Sequence, residues 1–151
     1  PYRMALFSRG APAEIVEKLA PTNSGTGTGL ASQKEIDEIW SAFEAAYGSR
    51  ERALKASRKN SQVLLPFINS AATIRGANAA LVTLFGAAEA LEIIEKNPGV
   101  LACNPTSLAK TPKADIVNAA NVVSSIDNLP TNIKSGIPFL TLLVIVGTIG
   151  S

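Results

Sequence analysis

A stretch beginning at Ala53, ALKASRKNSQVLLP, returns at Ala90 as ALEIIEKNPGVLACNP, and this internal repeat constrains the fold more than any other feature of the chain. Ala53/Ala90, Leu54/Leu91, Lys59/Lys96, Asn60/Asn97, Val63/Val100 and Leu64/Leu101 match at one fixed offset. Upstream, Tyr47-Gly48 pairs with Phe85-Gly86 after one gap. A segment that recurs at this period is one supersecondary unit whose apolar face is covered by the next copy. Each copy reads as a helix, a glycine stop, a second helix, an Asn-containing break and a short turn. Two helix pairs make a short array, so the diverged third part of the chain is expected to cap it.

Local signals agree with this reading. Ser32 and Glu35 fit a capping box, and Ile36, Ile39, Trp40, Phe43 and Tyr47 recur at helical spacing until Gly48 stops the turn. Trp40 and Tyr47 on such a stripe read as core side chains rather than stacking platforms. Thr111 is expected as N-cap of a third segment, with Pro112 at its first helical position and Ile116, Ala119, Ala120, Val123 and Ile126 on one face. The stretch APTNSGTGTGL, residues 20–30, reads as a Gly/Ser/Thr linker between an amphipathic arm and the body. The expected fold is all-α, with about seven short helices. It divides into an arm and linker over 1–31, a helical domain with two helix-pair units over 32–130, and a hydrophobic C-terminal helix over 131–151.

That last segment is the second strong constraint. Residues 135–151, SGIPFLTLLVIVGTIGS, carry no charged side chain. A spanning helix needs about 20 apolar residues, so the run sits at the lower edge of membrane length. Its apolar residues occupy all faces, and Lys134 precedes it where an interfacial anchor would stand. A single transmembrane helix is therefore expected, with Ile137, Phe139, Leu140, Leu142, Leu143, Val144, Ile145, Val146 and Ile149 as its lipid-facing and packing residues. A buried core helix is the alternative. The chain opens on Pro1 rather than Met, so a targeting segment or other leading residues are expected to precede it.

Composition narrows the chemistry. The 151 residues include one cysteine, Cys103, and no histidine, which excludes an intrachain disulfide, His-based triads and ordinary zinc or haem sites. Glu89, Glu92 and Glu95 read as a solvated helix face, so no enzyme is expected. Net charge is +2, too small for bulk attraction to polyanions. The positive charge concentrates in SRERALKASRKN, where Arg50, Arg52, Lys55, Arg58 and Lys59 form a basic helix. These five residues are the candidate partner-docking site. The equivalent helix of the second copy, EALEIIEKN, is acidic, which breaks the stripe a nucleic-acid groove needs, so a salt-laced exposed face or a docking surface for an acidic protein partner is favoured. The frequent asparagines read as helix caps, and an amide or carbonyl oxygen is the one ligand type that could reach a chlorophyll magnesium here.

Two resemblances follow. The paired helices and the NPGVL break, residues 97–101, resemble the repeats of the mitochondrial and plastid transcription termination factor family, which implies a soluble nucleic-acid-binding repeat protein. RALKASRKNSQVLLPFINS, LEIIEKNPGVLACNPTSLAK and IPFLTLLVIVGTIG together resemble nuclear-encoded algal plastid proteins of the photosystem I peripheral-subunit and antenna-linker type. This second resemblance implies a thylakoid location, a scaffolding role beside photosystem core and light-harvesting proteins, contact with thylakoid lipids, and incidental chlorophyll or carotenoid contacts without an intrinsic cofactor.

Overall fold

The computed structural model describes residues 10–19, 32–66 and 68–127, and all regular structure among them is helical. Seven α-helices follow in order: α1 (Ala13–Leu19), α2 (Gln33–Tyr47), α3 (Arg50–Lys59), α4 (Ala71–Phe85), α5 (Ala87–Lys96), α6 (Pro105–Lys110) and α7 (Lys113–Asp127). Two 3-10 turns, Ser61–Leu64 and Pro98–Ala102, follow α3 and α5. The membrane segment expected from Ile137 to Ile149 lies outside the described residues, and among the described residues no helix is long and apolar enough to cross a membrane.

The sequence repeat is a structural repeat. Unit one is α2, α3 and the first 3-10 turn; unit two is α4, α5 and the second. Ser32 and Ser70 occupy the same position in both and each caps its helix, accepting the N–H of Glu35 and Thr73 respectively. Ser32 and Glu35 complete the expected capping box, with the Ser32 N–H donating to the Glu35 carboxylate at 2.8 Å; such a cap is worth about 1 kcal/mol. Asn60 and Asn97 end the second helices in nearly the same backbone conformation, φ −153°, ψ 87° and φ −135°, ψ 81°. The repeat differs at its glycines. Gly48 takes the left-handed conformation, φ 69° and ψ 5°, and hands over to Ser49 as the next N-cap. Gly86, at φ 83° and ψ 163°, serves as stop and N-cap together, which accounts for the one-residue gap in the alignment.

Most matched positions are core positions, with Leu54 and Leu91 half-buried and Lys59 and Lys96 exposed. Ala53 and Ala90, Val63 and Val100, and Leu64 and Leu101 are all buried, as are Ile36 and Ile74, Ile39 and Ala77, and Phe43 and Leu81. Each fully buried Leu or Ile contributes about 2 kcal/mol of apolar burial. Trp40, Phe43 and Tyr47 stack down α2, with ring centroids 5.9 and 4.8 Å apart in tilted arrangements. α4 sits centrally against α2, α5, α6 and the second 3-10 turn, and its smaller side chains at Gly76 and Ala77 let neighbours approach. On α7, Ile116, Ala119, Ala120 and Val123 are buried where it covers α5, while Ile126 is half-buried.

Two expectations change in detail. The Thr111 hydroxyl does not cap α7; it donates back to the Ser107 carbonyl at 2.8 Å and closes α6, and α7 starts from the Pro112 carbonyl, which accepts the Asp115 N–H at 3.0 Å. The described part of the N-terminal arm, residues 10–19, packs on the body. α1 buries Ile15 and Leu19 in the same core as α2, and the Ala11 N–H donates to Asp37 at 2.8 Å.

Candidate functional site

α3 is built to turn its cations outward. Ser49 accepts the Arg52 N–H at 3.3 Å to start the helix, and Arg58 and Lys59 in the last turn complement its dipole. Its inner face is made of small residues, Ala53, Ala56 and Ser57, all buried. The Ser57 hydroxyl donates to the Leu54 carbonyl at 2.7 Å, so no buried donor is left open there.

The five expected docking residues fall into two groups. Arg52, Lys55 and Lys59 follow the i, i+3, i+7 spacing of one helical stripe and line a groove of about 280 Å³ together with Ser49, Glu51, Ala56 and Glu95. Glu95 of α5 enters from the opposite wall. Its carboxylate lies 3.8 Å from the Arg52 guanidinium, and its main-chain carbonyl accepts from the Lys59 ammonium at 3.0 Å. Lys55 makes no ion pair or hydrogen bond among the described residues, and its ammonium is the readiest to meet a ligand.

Arg50 and Arg58 point elsewhere. Arg50 donates to the Glu44 carboxylate at 3.1 Å and to the Gly10 carbonyl at 3.2 Å, and its guanidinium lies over the Trp40 ring, 5.8 Å from its centroid. Glu44 is buried and also accepts the Trp40 indole N–H at 2.7 Å, so Arg50 neutralises a carboxylate that the core has taken in. Arg58 forms a two-bond fork with Glu14 of α1, at 2.9 and 3.0 Å. That contact lowers the Glu14 pKa and raises the Arg58 pKa, in each case chiefly through the hydrogen bonds between the two side chains.

The site therefore has a groove in which Lys55 stands unengaged among the described residues between Arg52 and Lys59, both in contact with Glu95, and a flank where Arg50 and Arg58 are held by Glu44 and Glu14. Such cations can pair with an oxyanion through charge-assisted hydrogen bonds. Among the described residues no group of three or more Cys, Asp or Glu side chains is arranged to hold a metal ion. Sequence reasoning missed Glu95 as the acidic wall of the groove, although a signal existed. At the repeat offset Arg52, Lys55 and Arg58 correspond to Glu89, Glu92 and Glu95, an inversion of charge at equivalent positions of adjacent units. Glu14 left no such signal, because its pairing with Arg58 joins residues remote in sequence.

Comparison with protein-family models, curated proteins and solved structures finds no match to this chain.

Proposed function

We propose that the chain is a non-enzymatic docking subunit of a thylakoid photosystem–antenna assembly, most directly of photosystem I. The helical-repeat body meets an acidic protein surface through Arg52, Lys55 and Lys59. The run from Ile137 to Ile149 holds the body in the membrane plane, where confinement raises its effective concentration beside photosystem core and light-harvesting proteins. Chlorophyll or carotenoid contacts at that boundary are incidental to the role.

The observation that carries the docking part is the division of cations on α3. Arg50 serves the fold by neutralising Glu44, whereas Arg52, Lys55 and Lys59 line one open groove in which Lys55 makes no ion pair or hydrogen bond among the described residues. The acidic wall and the acidic α5 beside it favour a protein partner over a phosphate backbone, which would run into Glu89, Glu92 and Glu95 within one repeat. The assignment to a photosystem rests on the resemblance of the sequence.

The test is isolation of native membranes in mild detergent, followed by density-gradient separation and mass spectrometry of the pigmented bands. Stoichiometric co-migration with a photosystem band is the expected result. Recovery in the soluble fraction after a carbonate wash overturns the membrane reading. In that event, salt-dependent RNA or DNA binding lost on neutralising Arg52 and Lys55 identifies the rival, a soluble nucleic-acid-binding repeat protein, and transient association with an immature complex identifies an assembly factor.

A further inference from the structure

α1 occupies part of the docking helix. Glu14 holds Arg58 in a two-bond fork, and the Gly10 carbonyl takes one amino group of Arg50. The hold on α3 itself is superficial, since the apolar seat of α1 is in the core beside α2. α1 has seven residues, fewer than an isolated helix needs to persist, and among them only Ile15 and Leu19 are buried. Its ion pair to Arg58 is exposed to solvent, with side-chain exposures of 60% for Arg58 and 34% for Glu14. In the sequence α1 joins the body through the Gly/Ser/Thr-rich stretch 20–31, so its seat on α3 is an intramolecular ligand held by covalent attachment.

Resting on the docking role proposed above, we infer that α1 is a built-in competitor for that face: an acidic protein segment docks on α3 by lifting Glu14 from Arg58 and the Gly10 carbonyl from Arg50. Displacement adds Arg58 to the cationic surface beside Lys55, and on the far flank it frees one amino group of Arg50, which stays on Glu44. The seated arm also indicates what the partner looks like. A carboxylate presented to the Arg58 guanidinium, as Glu14 is, is the element that fits this flank. A ten-residue helix spans about 15 Å, which suits a short acidic segment and not an extended duplex.

The experiment uses the full chain and a fluorescein-labelled polyglutamate peptide, with affinity read by anisotropy at low salt. Glu14→Gln is expected to tighten binding roughly threefold to tenfold by removing the competitor's carboxylate. Glu17→Gln is the control: Glu17 lies on the same helix, is exposed, makes no ion pair among the described residues, and its substitution changes net charge equally. It is expected to leave affinity near that of the wild type. The peptide at saturation is also expected to speed trypsin cleavage after Lys18, because a displaced α1 is open to the protease. Equal effects of the Glu14 and Glu17 substitutions, or no change in cleavage after Lys18, overturn the competition while leaving docking intact. If the Arg52→Gln/Lys55→Gln double variant binds the peptide as the wild type does, or if neither the wild type nor Glu14→Gln binds it, the docking role itself fails and the competition with it.

Discussion

The Tyr47 hydroxyl, on the last residue of α2, donates to the Ile94 carbonyl in the last turn of α5 at 2.6 Å, joining unit one to unit two through a buried hydrogen bond. Ile94 needs an outside donor because the residue four positions on is Pro98, which has no N–H. The neighbouring Glu95 carbonyl is served in the same way by Lys59, so unit one completes the C-terminus of the second helix of unit two. Tyr47→Phe leaves the Ile94 carbonyl buried without a partner and is expected to cost about 1–2 kcal/mol in urea unfolding. Burial, and secondarily the Glu95 charge, raise the Tyr47 pKa well above 10.0. A neutral phenol favoured in the folded state contributes stability that is intact below the unfolded-state pKa and lost as pH rises toward the folded-state value. Above pH 10.0 the melting temperature of the wild type should therefore fall more steeply than that of Tyr47→Phe.

A second tie between the units runs through Asn69. Its amide donates to the Val63 carbonyl at 2.9 Å and to the Leu101 carbonyl at 3.2 Å, one in each 3-10 turn, while its oxygen accepts the Ser70 N–H at 2.9 Å. All three bonds serve backbone groups around a buried side chain. Asn69→Ala should destabilise by about 2–4 kcal/mol, and Asn69→Asp by at least as much, because a carboxylate cannot donate to either carbonyl. Chemical denaturation of the three proteins checks the order.

Gly76 sets two physical effects against each other. It lies inside α4, where alanine gains about 1 kcal/mol over glycine in an exposed helix. A Cβ there would stand 2.6 Å from Cγ and 3.0 Å from Cβ of Pro105, the first residue of α6. The proline ring cannot rotate away, so α6 would have to shift. Gly76→Ala is expected to lower stability by about 1–3 kcal/mol, the range for overpacking, and a rise in melting temperature would show that α6 moves freely.

Arg50 and Lys55 sit on one basic helix but differ in role, and they should separate in an unfolding experiment. Arg50→Ala strips the cation from the buried Glu44 carboxylate and the cover from Trp40, and should cost about 2 kcal/mol. Lys55→Ala touches only the open groove and should stay within about 0.5 kcal/mol of the wild type. Only the second substitution then reports on docking without disturbing the fold.

The repeat was legible because identical residues recur at identical core positions, and the aromatic stripe of α2 was legible because burial and helical period coincide at Ile36, Ile39, Trp40, Phe43 and Tyr47. Tertiary pairings were not. Nothing local in Glu14 announces Arg58, and nothing in Tyr47 announces the carbonyl it serves, since both partners arrive through folding of remote segments. The basic helix was visible as a charge run, but its division into a structural flank and an open groove depends on which side faces α1, a property of packing rather than of composition. α6 escaped the periodicity because six residues are too few to show one; Asn104, accepting the N–H groups of Thr106 and Ser107 ahead of Pro105, was its one local signal.

Cys103, the only thiol in the chain, follows the second 3-10 turn and packs against the core. Burial pushes its pKa up to about 11 from 9.0, since a thiolate there would be stripped of water. Only the thiolate attacks an alkylating reagent, and each unit of pKa lowers the thiolate fraction tenfold below the titration range. At pH 8 the native protein should therefore react with iodoacetamide on the order of 100-fold more slowly than the same protein in urea. If the two rates agree, the segment around Cys103 opens locally in the folded protein and exposes the thiol.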